Sequence, residues 1–461
     1  MAFRIKSMGS LTRSFVFITL SFLIAVLLTL LVKEASFSLT QVYVLFILFF
    51  AMGLWFTEAV PPFAVSILIV AFLVFSLGHK SFNAKTENIE QYVATFSSSV
   101  IWLMLGGFFM ATAMTKTRLD EALFRFTLRI SGSTPRSLLI GLMTTSMIAS
   151  MLMSNTASTA MVIASIMPLL NSLGKKSGLT KALLLGIPIA TTTGGMGSII
   201  GSPPNLIAVG ALENIGIHIS FLQWMKYGLP VSLVLTAVSC IVLIRLFIKD
   251  NTAISLIFLE QENTESSKEE IIERTIVLVT IIVTILLWLT TSYHGITVGA
   301  VSAVPLVFLT ITGILKGKDV QGLPWDTLLL VAGGLSLGMA IQNSGLLDHY
   351  ATQMQHLNVH YLVLIFCLAY MTMIFSNIMS NTATSTVLIP IGIALLAGLD
   401  TQIAVIIGLS ASTALFLPVS TPPNAIAYST GFLDIADFRI GGIVVGILGP
   451  LLAVLWVLFS V

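Results

Sequence analysis

The sequence predicts an all-α polytopic membrane protein of about eleven transmembrane helices plus two re-entrant hairpins, arranged as inverted repeats. Three observations predict it. Of 461 residues, 56% are hydrophobic and only 9% are charged, against about 25% charged in soluble domains. Apolar runs of bilayer-spanning length, about 20 residues, recur from end to end. One short motif also occurs twice, as Ser150-x-x-x-Ser154-Asn155-Thr156-Ala157 and Ser376-x-x-x-Ser380-Asn381-Thr382-Ala383.

The spans follow in order at 15–32, 39–57, 61–78, 98–115, 182–212, 225–248, 275–291, 293–315, 327–343, 402–430 and 439–460. The first is too long for a signal-peptide core and lacks a small-residue cleavage site, so it reads as a retained span. Thr117 to Ile130 places Arg118, Arg125 and Arg129 on one helical face and Leu119, Leu123, Phe126 and Ile130 on the other. That pattern suits a helix lying in the interface against membrane lipid. Its partner in the second half, Gly345 to Leu357, lacks the cationic face. Residues 1–248 form the first half and 274–461 the second repeat. Between them 249–273 is polar and acidic, with Glu260, Glu262, Glu265, Glu269, Glu270 and Glu273, and reads as a cytoplasmic linker.

Charge gives the orientation. With the N-terminus cytoplasmic, all of the 22 Lys and Arg except Lys33, Lys80, Lys85 and Lys226 fall inside, as the positive-inside rule expects of a plasma (inner) membrane protein. The same rule resolves 137–172. Arg136 precedes it and Lys175 and Lys176 follow it, so the chain leaves and re-enters the same face. Two full spans and a turn need more than about 40 residues, so this stretch is a hairpin entering from the cytoplasm. No Lys or Arg occurs between Lys318 and Arg439, and 359–398 is the matching hairpin from outside. Leu105-Gly106-Gly107 pairs with Ala332-Gly333-Gly334 in the spans before the two hairpins.

Each hairpin is followed by a second duplicated signature, Gly201-Ser202-Pro203-Pro204-Asn205 and Ser420-Thr421-Pro422-Pro423-Asn424. Paired interruptions at matching places in two halves mark a transporter's binding site. Proline supplies no N–H and breaks a helix, leaving free carbonyls at one end and free N–H groups at the other. Carbonyl ends suit cations and N-terminal ends suit anions. Neither the tips nor the breaks carry Lys, Arg, Asp, Glu or His. A bound dianion is then neutralised by helix ends and co-bound cations, since an unpaired desolvated charge costs many kcal/mol. Without an ionisable relay beside the motifs, Na+ is favoured over H+ as the coupling ion.

Other features read as structural. Small hydroxyl residues usually serve helix packing, but duplication of the whole constellation overrides that reading here. Glu58, at a turn before Pro61-Pro62, reads as a hydrogen-bonding structural acid. Asp326 and Asp348 mark span ends, Asp434 and Asp437 a solvated loop, and His349 and His356 lie in a loop without ligand spacing. The two cysteines, Cys240 and Cys367, sit in apolar runs and suggest neither disulfide nor metal site. The chain lacks a nucleophile–base cluster at membrane depth, so it does not read as an enzyme. Its charges mark topology and do not form a nucleic-acid footprint.

The duplicated Ser-Asn-Thr, the run Trp55-Phe56-Thr57-Glu58-Ala59-Val60-Pro61 and the run Gly333-Gly334-Leu335-Ser336-Leu337-Gly338 resemble the divalent-anion/sodium symporter family, the INDY-type dicarboxylate transporters. The similarity covers nearly the whole chain. It implies a scaffold domain, a mobile transport domain, a homodimer and an elevator motion. It implies one Na+ site at Ser150, Ser154, Asn155 and Gly201, and another at Ser376, Ser380, Asn381 and Ser420. The last position is often Ala in the family; a backbone ligand there tolerates Ser. Substrate carboxylates would meet Asn155, Thr156 and Ser202 on one side, and Asn381, Thr382, Thr421 and Pro422 on the other. The expected function is Na+-coupled symport of C4-dicarboxylates such as succinate, fumarate and malate by alternating access. The family also contains Na+-independent exchangers and carriers of citrate, tartrate or sulfate, which remain open here. An anion channel is the alternative from another class; hairpins entering from opposite faces favour alternating access.

Overall fold

The computed structural model describes residues 10–83, 86, 88–254, 267–355 and 360–460. Lys85, Glu260, Glu262, Glu265 and His356 lie outside the described residues, as do the side chains of Arg129 and Asp348. The first half runs through α1 (Ser10–Val32), α2 (Leu39–Thr57), α3 (Pro62–Gly78), α4 (Glu90–Ala94), α5 (Ser99–Lys116) and α6 (Leu119–Ser131). Next come the hairpin α7 (Pro135–Ser150) and α8 (Asn155–Leu173), the broken helix α9 (Gly178–Gly194) and α10 (Pro203–Asn214), and α11 (Phe221–Phe247). The second half opens with α12 (Lys268–Leu289), α13 (Thr291–His294), α14 (Val298–Val301), α15 (Ala303–Ile311), α16 (Gly317–Gln321), α17 (Trp325–Asn343) and α18 (Leu346–Gln355). It repeats the hairpin as α19 (Tyr361–Ser376) and α20 (Asn381–Leu395), the broken helix as α21 (Asp400–Ala411) and α22 (Pro422–Ser429), and ends in α23 (Phe438–Ser460).

Local chemistry sets the helix ends. Ser38 with Gln41, Ser220 with Gln223 and Ser267 with Glu270 form capping boxes at α2, α11 and α12. Prolines stand in the first turn of α3, α7, α10 and α22, where the missing N–H has no acceptor to lose. Eight helices among the described residues are long and apolar enough to cross a bilayer unaided. One of these is the hairpin arm α8. Other expected spans are shorter or broken.

Several expectations need correction. The run 293–315 is not one helix: Gly295 at φ +71° separates α13 from α14, and Ser302 and Pro305 follow at the start of α15. His349 is helical, within α18, and hydrogen-bonds Glu34 at 3.1 Å. Glu58 makes no side-chain hydrogen bond among the described residues; it is the left-handed C-cap of α2, with φ 47°, so its role is in the backbone turn. Asp434 and Asp437 are not merely solvated. Lys175 and Lys181 reach them at 3.2 and 2.8 Å. The surface helix α6 exposes Leu123, Phe126 and Ile130, the apolar face a lipid-facing helix needs.

The helices pack in two groups. In one, α1, α2, α3, α5, α12, α14, α15 and α17 pack successively on one another; in the other, both hairpins, both broken helices, α11 and α23 do so. The first halves of the broken helices are the centre of the second group. Every residue from Leu179 to Gly194 except Lys181 is buried, as is every residue from Ile403 to Ala411, so these helices read as apolar on all sides. The two halves also interlock. The second part of each broken helix packs on the other half's hairpin, α10 on α20 and α22 on α8.

Candidate functional site

The duplicated motifs meet around one cavity of about 490 Å³. Ser154, Asn155, Thr156, Gly201 and Ser202 line it from the first half, and Ser380, Asn381, Thr382, Ser420, Thr421 and Pro422 from the second. Ser150 and Ser376 do not line it; both are fully buried behind the tips, as the last residues of α7 and α19. The cavity continues along Phe108 and Ala111 of α5 and Pro324, Asp326 and Thr327 at the start of α17. It therefore reaches toward the end of the molecule where Lys116 pairs with Asp319 at 2.5 Å. Among the described residues, Asp326 is the only charged side chain lining it.

Helix caps build the tips. Ser154 Oγ accepts from Ala157 N at 3.2 Å and Ser380 Oγ from Ala383 N at 3.1 Å. The second serine of each motif thus holds the N-terminus of α8 or α20 open toward the cavity, with Thr156 or Thr382 in the first turn. Those N-termini carry free N–H groups and partial positive charge. Thr421 caps α22 in the same way, accepting from Asn424 N at 3.4 Å, and Ser202 hydrogen-bonds Ser412 at 3.3 Å. Four helix N-termini of α8, α10, α20 and α22 therefore begin at residues lining one cavity. That arrangement suits two carboxylates.

Behind each tip lies a cluster of oxygens. The Asn155 side-chain amide is 2.5 Å from Ser150 Oγ, 3.2 Å from the Gly201 carbonyl oxygen and 3.1 Å from the Thr191 carbonyl oxygen. All three neighbours are oxygens. With its NH₂ toward them, the amide donates to both carbonyls; with its oxygen toward them, four oxygens converge and a cation completes the set. Glycine makes the approach possible. A Cβ on Gly195 would sit 2.5 Å from the Asn155 amide, and one on Gly201 would sit 2.6 Å from the Gly195 carbonyl oxygen. In the second half, Ser376 Oγ and Asn381 Oδ1 are buried and have no hydrogen-bond partner among the described residues. Ser420 Oγ donates to Asn377 Oδ1 at 2.9 Å. Neutral oxygens of this kind fit a hard monovalent cation.

Four side chains around the site have roles that the motifs alone did not assign. Asn205 Nδ2 donates to the carbonyls of Gly195 and Ser198, each at 2.8 Å, and Asn424 Nδ2 to those of Leu415 and Leu417 at 3.2 and 3.0 Å. Each strap closes its helix break. The signal lies in the sequence: a Pro-Pro break frees carbonyls, and the next residue is the amide that answers them. Ser198 and Asn377 tie tip to break. Ser198 Oγ donates to the Met151 carbonyl at 2.5 Å, while Asn377 Oδ1 accepts from Phe416 N at 3.0 Å. These two do not correspond in the repeat, so duplication did not reveal them.

Comparison with known proteins agrees with this architecture. The family model described as the sodium:sulfate symporter transmembrane region matches residues 12–460. The sodium-dependent dicarboxylate transporter SdcS of Staphylococcus saprophyticus is 29% identical, covering 95% of this chain and 90% of the relative. SdcS of Staphylococcus aureus is 27% identical over 91% of this chain and 85% of the relative. Among solved structures, the YdaH transporter of Alcanivorax borkumensis aligns with TM-score 0.58 at 13% identity, covering 87% of this chain and 99% of its own. Neisseria gonorrhoeae MtrF, described among antimetabolite efflux pumps, aligns with TM-score 0.57 at 12% identity, covering 87% and 95%. At those identities the likeness is one of fold.

Proposed function

The chain belongs to the sodium:sulfate symporter family, and from that premise we propose that it is a secondary transporter importing C4-dicarboxylates with Na+. One observation carries the reading: a cavity bounded by four helix N-termini, backed by two clusters of neutral oxygens, with no cationic side chain among the described residues that line it. The helix ends receive the carboxylates, and the cations behind the tips offset their remaining charge. A volume of about 490 Å³ lies within the range of small-molecule sites. It leaves room for a four-carbon chain between the tips. The dicarboxylate named for both SdcS relatives supports the substrate class.

In this reading each oxygen cluster takes one Na+. The group holding the hairpins, broken helices, α11 and α23 is the transport domain, and the other group is the scaffold. The Lys116–Asp319 end is cytoplasmic, the protein resides in the inner membrane as a homodimer, and the transport domain moves past the scaffold. Purified protein in liposomes takes up labelled succinate only under an inward Na+ gradient. Equal uptake in Na+-free buffer would overturn the coupling. Uptake that requires internal dicarboxylate whatever the gradient would identify an exchanger. Because the matching family description names sulfate, counterflow against succinate, citrate, tartrate and sulfate ranks the anions.

A further inference from the structure

Hydrogen bonds between described residues sort by the two packing groups. Lys116–Asp319 and Arg274 Nε to the Thr117 carbonyl stay within or beside the first. Lys175–Asp434, Lys181–Asp437 and Tyr370 to the Ile447 carbonyl stay within the second. Among the described residues one side-chain hydrogen bond joins helices of the two groups. Ser99 Oγ of α5 donates to Glu213 Oε2 of α10 at 2.5 Å.

Both partners are firmly placed. A Cβ on Gly299 of α14 would lie 3.0 Å from Ser99 Cα, so Ser99 is wedged in the first group. Glu213 stands in the last turn of α10. One turn before it, a Cβ on Gly210 would lie 2.7 Å from Leu335 of α17 and 3.3 Å from Val100 of α5. Here the groups are in tight apolar contact, at the end of α5 opposite Lys116. Apolar surfaces in contact are non-directional, whereas a hydrogen bond to a carboxylate is directional and strong.

The bond has no counterpart at the other end. The step that carries Gly106 onto Gly333 carries Ser99 onto Asp326; the step that carries Pro203 onto Pro422 carries Glu213 onto Phe432. Asp326 lines the open cavity, and a phenylalanine cannot answer it. We propose that Glu213 is a gating residue for transport. Its bond to Ser99 latches the sealed end and holds the resting population with the cavity open toward Lys116. The inference rests on the two-domain reading above.

The test uses full-length protein with Cys240→Ser and Cys367→Ser. Ser99→Cys with Glu213→Cys forms a disulfide on oxidation; uptake falls at least 20-fold and returns on reduction. Failure of the pair to bridge, either by oxidation or by a short bis-methanethiosulfonate that spans the length lost from Glu213, would overturn the latch. A complete disulfide with undiminished uptake would instead overturn the two-domain motion. A readout independent of substrate uses Leu335→Cys, buried at the sealed end, and a membrane-impermeant maleimide. Adding Glu213→Ala raises its labelling rate roughly tenfold, the scale of one charge-assisted hydrogen bond. Glu213→Gln, which keeps an acceptor, restores the slow rate. Unchanged labelling in Glu213→Ala, or equal acceleration in both variants, overturns the proposal.

Discussion

At the first tip, the Asn155 amide reaches Ser150, Gly201 and Thr191; at the second, Asn381 Oδ1 and Ser376 Oγ are buried without a partner among the described residues. The same duplicated motif thus produces one cluster that satisfies itself and one that does not. The difference comes from outside the motif. Two glycines, Gly195 and Gly201, let α9 and its break close onto Asn155. The step between the Pro-Pro-Asn signatures places Ala414 and Ser420 at the matching positions. Both carry a Cβ, and Ser420 turns its hydroxyl to Asn377. A duplicated motif therefore does not guarantee duplicated energetics. The second cluster needs an external partner more than the first, because an unpaired buried oxygen costs about 1–3 kcal/mol.

The largest effect breaks both halves at once. Asn155→Ala and Asn381→Ala are each expected to abolish Na+-driven succinate uptake in liposomes while the protein still elutes as a folded species. Normal uptake in both variants would remove the tips from the site. The next prediction separates the halves by thermal unfolding in Na+-free buffer. Asn155→Ala loses donors to two carbonyls and is destabilised by about 1–3 kcal/mol; Asn381→Ala deletes an unpartnered oxygen and stays within about 0.5 kcal/mol. Equal losses would mean that the two clusters are alike after all.

A third comparison adds a methyl group. Gly195→Ala places a carbon 2.5 Å from the Asn155 amide, so the tip must retreat and uptake falls at least about tenfold. Ser420→Ala, in contrast, loses the bond its hydroxyl donates to Asn377 and the one it accepts from Leu417 N, and with them about 1–3 kcal/mol of stability, with most of its uptake retained. Uptake measured side by side decides it; a greater loss from Ser420→Ala reverses the assignment of the tighter half. The smallest effect concerns the ion pairs that hold the segment before α23 to the first half. Asp437→Asn loses a half-buried pair with Lys181 at 2.8 Å, and lowers stability by at most about 1 kcal/mol, with the loss reduced at high salt. Asp434→Asn, whose pair with Lys175 is exposed on both sides, leaves the melting temperature unchanged.

The spans and hairpins were legible in the sequence because a bilayer demands long apolar runs and sorts lysine and arginine by side. The amphipathic helix in 117–130 was legible from its periodicity, but Arg118 stands before its first turn, at φ 54°. The short pieces were not. The helix α4 has only five residues, too few for any periodicity, and Gly295 breaks the run 293–315 at a φ that its neighbours do not announce. At the site, duplication made Ser-Asn-Thr and Pro-Pro-Asn visible, and it hid whatever was not duplicated. Ser198 and Asn377 perform one task with different chemistry, so no pattern links them. Asp437 looked solvated because its partner, Lys181, lies 256 residues away, beyond the reach of any local reading.

The crossing of α10 onto α20 and of α22 onto α8 sets an order of events during synthesis. Asn155 enters the membrane about 270 residues before Pro422 follows it, and until then the first polar tip lacks the helix that covers it. Chains synthesised at about 5–20 residues per second leave that tip waiting for roughly 13–50 seconds. The nascent first half must therefore be sheltered by the insertion machinery, by lipid rearrangement or by water reaching the tip from the face at which the hairpin enters.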